Sequence, residues 1–273
     1  MLALLQFSVV GYPQLVPDPY TIPQKSYYRS WDGLLINPTE NYKLLTIMVN
    51  ICYDMTTDPV AGSSYWAQIP ASAASTVPSL NVVLPTYMTD LLDTEYNLPT
   101  LHGTMTRKYH ESSFGNLYMI GDFVVVNLKQ SEIAEPDGKF TFTQIHNAAI
   151  SLINQQGLNT LFTPEIFSDY DSDGDGEFDV VQYIFRNTDR QHGTYDAGNG
   201  QTAMETTAEI IINGTAHGIK WLSATSVGSI DLSQQYDHVF YHEFSHLLFG
   251  SNEFHTSGGH SWGGVFATTF LGV

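Results

Sequence analysis

His242-Glu243-Phe244-Ser245-His246 sets two imidazoles four residues apart, with a carboxylate directly after the first. In a helix, residues at that spacing lie one above the other on the same face, so both rings can address one tetrahedral cation with Glu243 beside them. Neutral imidazoles leave a divalent charge largely intact. Water at an open coordination position then becomes acidic enough to lose a proton to a nearby carboxylate. Glu243 is the group placed to take that proton and later to hand it to a leaving amine. The bland alternative is two surface histidines on an ordinary helix, a pattern that a random chain of this size would show on the order of a couple of per cent of the time. The flanks weigh against it, because Val239, Phe240, Leu247 and Leu248 can anchor such a helix in a core. A further ligand must come from beyond Gly250, where the chain can turn back. His255 is the preferred candidate, Glu253 is next, and Asn252 and the more distant His260 remain open.

A second cluster of chemistry lies at Asp171-Ser172-Asp173-Gly174-Asp175-Gly176-Glu177-Phe178-Asp179. Carboxylates at loop positions 1, 3, 5 and 9 with glycine at 6 suit a hard, oxygen-loving cation, with Glu177 at position 7 offering its backbone carbonyl. Position 12 is Gln182, so the loop is an incomplete EF-hand. It is better suited to structural calcium than to signalling, and a merely solvated acidic turn is the alternative.

The elements that must position these groups follow from apolar patterning. Leu44 to Ile51 and Met119 to Leu128 read as buried strands, the second containing the continuous run Phe123-Val124-Val125-Val126. Ile145, Ala148, Ala149, Leu152 and Ile153 recur at helical spacing, with Thr143 expected as N-cap and Gly157 as the stop. Asp93 to Tyr118 accommodates two helical pieces; Phe178 to Phe185 and Ala208 to Ile212 read as strands, and Tyr236 to Phe249 as a helix ended by Gly250. Thr56 to Pro85 reads as loop. This alternation predicts an α/β or α+β domain built on a mixed, twisted sheet. Residues 1–40, rich in Pro, Tyr and Gln, read as an extended lead-in, the remnant of a signal peptide or propeptide, and residues 41–273 as the catalytic domain.

Composition narrows the partners. Lys+Arg 10 against Asp+Glu 28 gives a formal net charge of -18, which argues against a nucleic-acid partner. No run approaches the roughly 18 apolar residues of a membrane-spanning helix. The single cysteine, Cys52, excludes an intrachain disulfide and a thiolate metal cluster, and its apolar neighbours mark it as a buried small hydrophobe. His217 in its loop reads as incidental, and Tyr236 and Tyr241 as core packing rather than oxyanion donors.

Taken together, the segments resemble the immune inhibitor A family of secreted bacterial metallopeptidases, a branch of the zincins. The likeness runs through Leu44-Leu45-Thr46-Ile47-Met48-Val49-Asn50, Tyr109-His110-Glu111-Ser112-Ser113-Phe114-Gly115-Asn116-Leu117, the helix from Thr143 to Gln156, the acidic loop, and His242 to His246. The resemblance implies a zincin-like fold with its active-site helix on this last segment. It also implies an extracellular zinc endopeptidase, stabilised by calcium; protein or peptide substrates and a monomeric state are the accompanying expectations. Two departures stand out: the glycine after the second histidine is displaced to Gly250, and no methionine follows Met204, so the Met-containing turn expected beneath the zinc is missing. A chain truncated at its C-terminus accounts for the second. A different class of function, a calcium-bearing surface or adhesion module that kept the scaffold and lost catalysis, fits the same departures.

Overall fold

Three apolar runs become strands of one sheet because each carries side chains that need burial on both faces, and a fourth, more polar segment joins them. The computed structural model describes residues 36, 40–56, 72–77, 90–96, 100–157, 167–186, 200–204, 206–227 and 236–249. Within them, β1 (Asn41–Cys52), β2 (Tyr118–Lys129), β3 (Phe178–Arg186) and β7 (Ile219–Val227) pair in parallel, β1 lying between β2 and β3. A further strand, β4 (Gly200–Met204), pairs antiparallel with β7, completing the order β2-β1-β3-β7-β4. The mixed sheet and the intervening helices bear out the α/β expectation.

Alternation along each strand divides the interior into two layers. One holds Leu45, Ile47, Val49, Val181, Tyr183, Phe185 and Leu222 under the helix α3 (Phe142–Gln156), which contributes Ile145, Ala149, Ile150 and Ile153. The opposite layer holds Leu44, Met48, Val180, Ile184 and Trp221. It is covered by α1 (Thr104–Ser112) through Met105 and Tyr109, and by α4 (Tyr236–Phe249) through Tyr241, Phe244, Leu247 and Leu248. Cys52 is buried, as expected.

Helix α3 is capped two residues earlier than expected. Its N-cap is Thr141, whose Oγ1 accepts the Gln144 N–H at 3.1 Å while Thr141 N–H donates to the Gln144 side chain at 2.8 Å, a capping box. Thr143 lies exposed in the first turn. The box wins because Gln144 returns a bond to Thr141, satisfying two backbone donors at once. Gly157 ends the helix with φ 71, the left-handed conformation glycine adopts without a Cβ clash. Between β2 and α3 lies the single-turn α2 (Gln130–Ile133).

The stretch from Asp93 to Tyr118 carries one helix, α1, rather than two pieces, among the described residues. Asp93 instead bridges to Ile120 on the outer edge of β2, and Thr76 and Asn127 exchange two backbone hydrogen bonds further along that edge. Edge donors and acceptors are thereby covered by backbone from a segment read as loop, at Thr76, and from one read as helical, at Asp93. The same segment serves α1, whose first N–H groups, on Thr104 and Met105, donate to the carbonyls of Asp90 and Leu91.

The expected strand from Ala208 is shorter. β5 (Ile210–Ile212) and β6 (Thr215–His217) form a separate hairpin, joined by Asn213 and Gly214 with φ 50 and 84. Asn-Gly with both residues left-handed is the two-residue turn whose twist matches the flanking strands. Ile36, inside the segment read as lead-in, is buried in the α4 layer and donates its N–H to Leu247 C=O at 3.1 Å. No helix among the described residues is long and apolar enough to cross a membrane.

Candidate metal centres

Helix α4 is positioned by its apolar face. At about 100° per residue, Tyr241, Phe244, Ser245 and Leu248 share one side, and positions 242, 243 and 246 lie on the other together with Leu247, which also packs in the sheet layer. The first side belongs to the sheet layer, with Phe244 and Leu248 fully enclosed. Glu243 and His246 are nevertheless buried as well, 4% and 5% exposed. Burial pushes the Glu243 carboxyl up to about 8, so at neutral pH this group carries a proton unless positive charge is brought beside it. The backbone of position 242 lies within α4, but the His242 side chain is outside the described residues. His255, Glu253, Asn252, His260 and Gly250 also lie outside them. Thus Glu243 and His246 are brought to one buried stretch of helix, and the further ligand is left where the sequence put it.

The helix is also held by hydrogen bonds that sequence reasoning missed. Tyr109 of α1, 3% exposed, donates its hydroxyl to Tyr241 C=O at 3.1 Å and stands 3.3 Å from Ser245 Oγ. Ser245 Oγ donates to the same carbonyl at 2.5 Å. The Tyr109 ring packs on Tyr241 and Phe244 at centroid distances of 5.8 and 5.4 Å. Tyr241 is therefore a core residue, as expected, and Lys108 lies 4.6 Å over its ring.

At the acidic loop, the carboxylates of Asp171, Asp173 and Asp175 converge, with one oxygen of each within 4.8 Å of the others. Left-handed Gly174 and Gly176, φ 73 and 87, let the chain coil around them. The Asp175 and Gly176 N–H groups donate to the two oxygens of Asp171, each at 2.9 Å. Glu177 N–H donates to Asp175 at 2.9 Å. Asp179 stands apart from the three. It is buried at the start of β3 and accepts the Ser172 N–H at 2.8 Å; burial and the nearby Asp173 charge push it up to about 6. Gln182, position 12, lies within β3 in register with Thr46 and Ser223.

Two residues from distant strands complete this loop. Lys220 of β7 binds both Asp173 and Asp175, the latter at 2.8 Å. Although burial works against it, the two carboxylates hold the Lys220 ammonium well above its ordinary value. His217 stacks on Phe167 at 3.7 Å between centroids, and its Nδ1 lies 3.1 Å from Gly176 O, so this histidine braces the loop rather than being incidental. The only sequence signal for such partners was the unbalanced charge of the loop. On the side of the sheet away from α4, His146 of α3 is buried, with Nδ1 2.6 Å from Tyr183 Oη and Nε2 2.7 Å from Thr206 Oγ1.

The acidic triad could hold a metal ion. Its all-oxygen donor set suits a hard cation, whereas the imidazoles on α4 suit zinc. No protein-family model matches the chain, and no curated protein matches it.

Proposed function

We propose that the chain is an extracellular zinc-dependent endopeptidase whose metal is held by His242, His246 and a ligand from beyond Gly250, His255 first among the candidates. The observation that carries this reading is the pairing on α4: Glu243 and His246 are both buried on the one helix, although both are costly to bury without a purpose. A carboxyl pushed up to about 8 by burial is poised for a neighbouring cation to draw it back to the charged form. The residues fit zinc, which, when bound, supplies a Lewis acid that acidifies water and polarises a carbonyl.

In this scheme Glu243 accepts the proton of the attacking water and returns it to the amine of the cleaved bond. Burial of the surrounding helix face limits bulk water and strengthens the electrostatics. Peptide is favoured as substrate because β4, which packs on α4, is paired with β7 on one side only among the described residues. An extended segment can add to such an edge through backbone hydrogen bonds. Asp171, Asp173 and Asp175 with the Glu177 carbonyl are proposed to hold structural calcium, with Asp179 ordering the loop through Ser172.

The test is zinc content and casein or gelatin cleavage for the chain and for Glu243→Ala. About one zinc per chain, cleavage abolished by chelator, and a drop of at least about a hundredfold in Glu243→Ala are expected. Zinc without cleavage would favour a scaffold that has lost catalysis or acts on another bond. Absence of zinc would leave the calcium-bearing surface module as the better reading.

A further inference from the structure

We infer that Tyr109 and Ser245 form a positioning pair that fixes the rotation of α4, and through it the metal affinity of the face carrying positions 242, 243 and 246; this rests on the zinc reading above. The contacts bracket that face in sequence. Tyr241 precedes His242 and Glu243, Phe244 and Ser245 separate them from His246, and Tyr109 touches all three of those bracketing residues.

Apolar packing alone does not set the angle of a helix on a sheet, because hydrophobic attraction is non-directional. Rotating a helix by about 20° moves a ring nitrogen about 6 Å from its axis by about 2 Å. Metal–ligand distances tolerate only about 0.2 Å. A directional bond is therefore needed near the ligands, and the Tyr241 carbonyl is where it is made. Each hydroxyl has one proton, so either both donate to Tyr241 C=O or Tyr109 donates to Ser245, which donates onward. In both arrangements Tyr109 supplies the donor that comes from outside α4, since Ser245 bonding back four residues is internal to the helix. Burial pushes the Tyr109 hydroxyl above its ordinary value, so it keeps its proton.

The platform carrying Tyr109 is itself fixed at both ends. The first turn of α1 is bound by the carbonyls of Asp90 and Leu91, and its last turn by Gly115 N–H donating to His110 C=O at 2.8 Å. Ser113 Oγ then accepts the Leu117 N–H at 2.9 Å, leading directly into β2. Rotation of α4 is thus referred to β2 through α1.

The experiment measures zinc dissociation constants by competition with a chromophoric chelator for the full chain, Tyr109→Phe, Ser245→Ala and the double variant. Ile145→Val, in the layer on the other side of the sheet, serves as a control for general loosening, and melting in excess chelator reports stability. Tyr109→Phe and Ser245→Ala are each expected to weaken zinc binding about tenfold, the double variant by little more, and the control not at all. Ser245→Ala keeps the test decisive if Tyr109→Phe folds poorly. Wild-type zinc affinity in both single variants overturns the inference, as does equal weakening in Ile145→Val. A wild-type chain that binds no zinc overturns the zinc reading itself, an outcome distinct from either.

Discussion

His146 shows what burial does to a single ionisable group. Enclosed between Tyr183 and Thr206, it is pushed down by burial from its ordinary 6.5 to about 4. The fold therefore holds it neutral, and its contribution is complete above pH 6.5. As pH falls from 6.5 towards 4, the unfolded chain takes up a proton that the folded chain refuses, and up to about 3 kcal/mol of stability is lost. Urea midpoints at pH 7.5 and 5 should separate more for the wild type than for His146→Gln. Asp179, raised to about 6 and hence opposite in sign, is common to both chains and cancels. Equal separations would show that His146 does not titrate in this way. Glu243 is perturbed for the same reason, burial, but its proposed role is chemical, so its substitution is expected to abolish cleavage with little effect on zinc content.

At the scale of elements, the acidic loop is a local device completed by a distant strand. Three converging carboxylates repel one another, and Lys220 offsets part of that repulsion from β7. The pairs are partly exposed, so they contribute no more than about 1 kcal/mol. Lys220→Gln should lower the melting temperature in chelator, because the repulsion is then less balanced. It should also enlarge the gain on adding calcium, since a divalent ion no longer shares the carboxylates with an ammonium. Melting with calcium and with EGTA checks both parts, and an unchanged calcium gain would refute the shared-carboxylate account. The β5–β6 turn is the converse case, entirely local. Asn213-Gly214 is among the strongest short hairpin signals, and reading only a strand from Ala208 to Ile212 left it unused.

For the molecule as a whole, the sheet is the common wall of two apolar layers, so neither layer can be loosened alone. Ile47 and Met48 are neighbours in β1, yet they face α3 and α4 respectively, and both are essentially inaccessible. Ile47→Ala and Met48→Ala should each cost about 2–5 kcal/mol and shift a single unfolding transition seen alike by circular dichroism and tryptophan fluorescence. Two separated transitions in either variant would show that the layers unfold independently. Coupling of this kind ties the acidic loop, at the start of β3, to α4 through β3 and β7, the strands on which Asp179 and Lys220 sit.

What the sequence by itself determined is what depends on neighbours along the chain. The apolar runs of β1, β2 and β3, the periodicities of α3 and α4, and the carboxylate spacing of Asp171, Asp173 and Asp175 are each complete within about a dozen residues, so their physics is present in the string. Thr141 displaced Thr143 as the cap of α3 by a reciprocal bond that a count of apolar positions does not register. Only the tertiary structure decided the rest. β4 has no apolar run in Gly-Gln-Thr-Ala-Met and is a strand because β7 supplies its partners, and β7 itself mixes Ser and Thr with Trp221 and Leu222. The link from Tyr109 to Ser245 spans 136 residues, and that from Lys220 to Asp175 spans 45. Such contacts are selected by which groups the sheet brings together and how much a buried hydroxyl or an uncompensated charge would cost there. That cost exists only once the chain has folded around it.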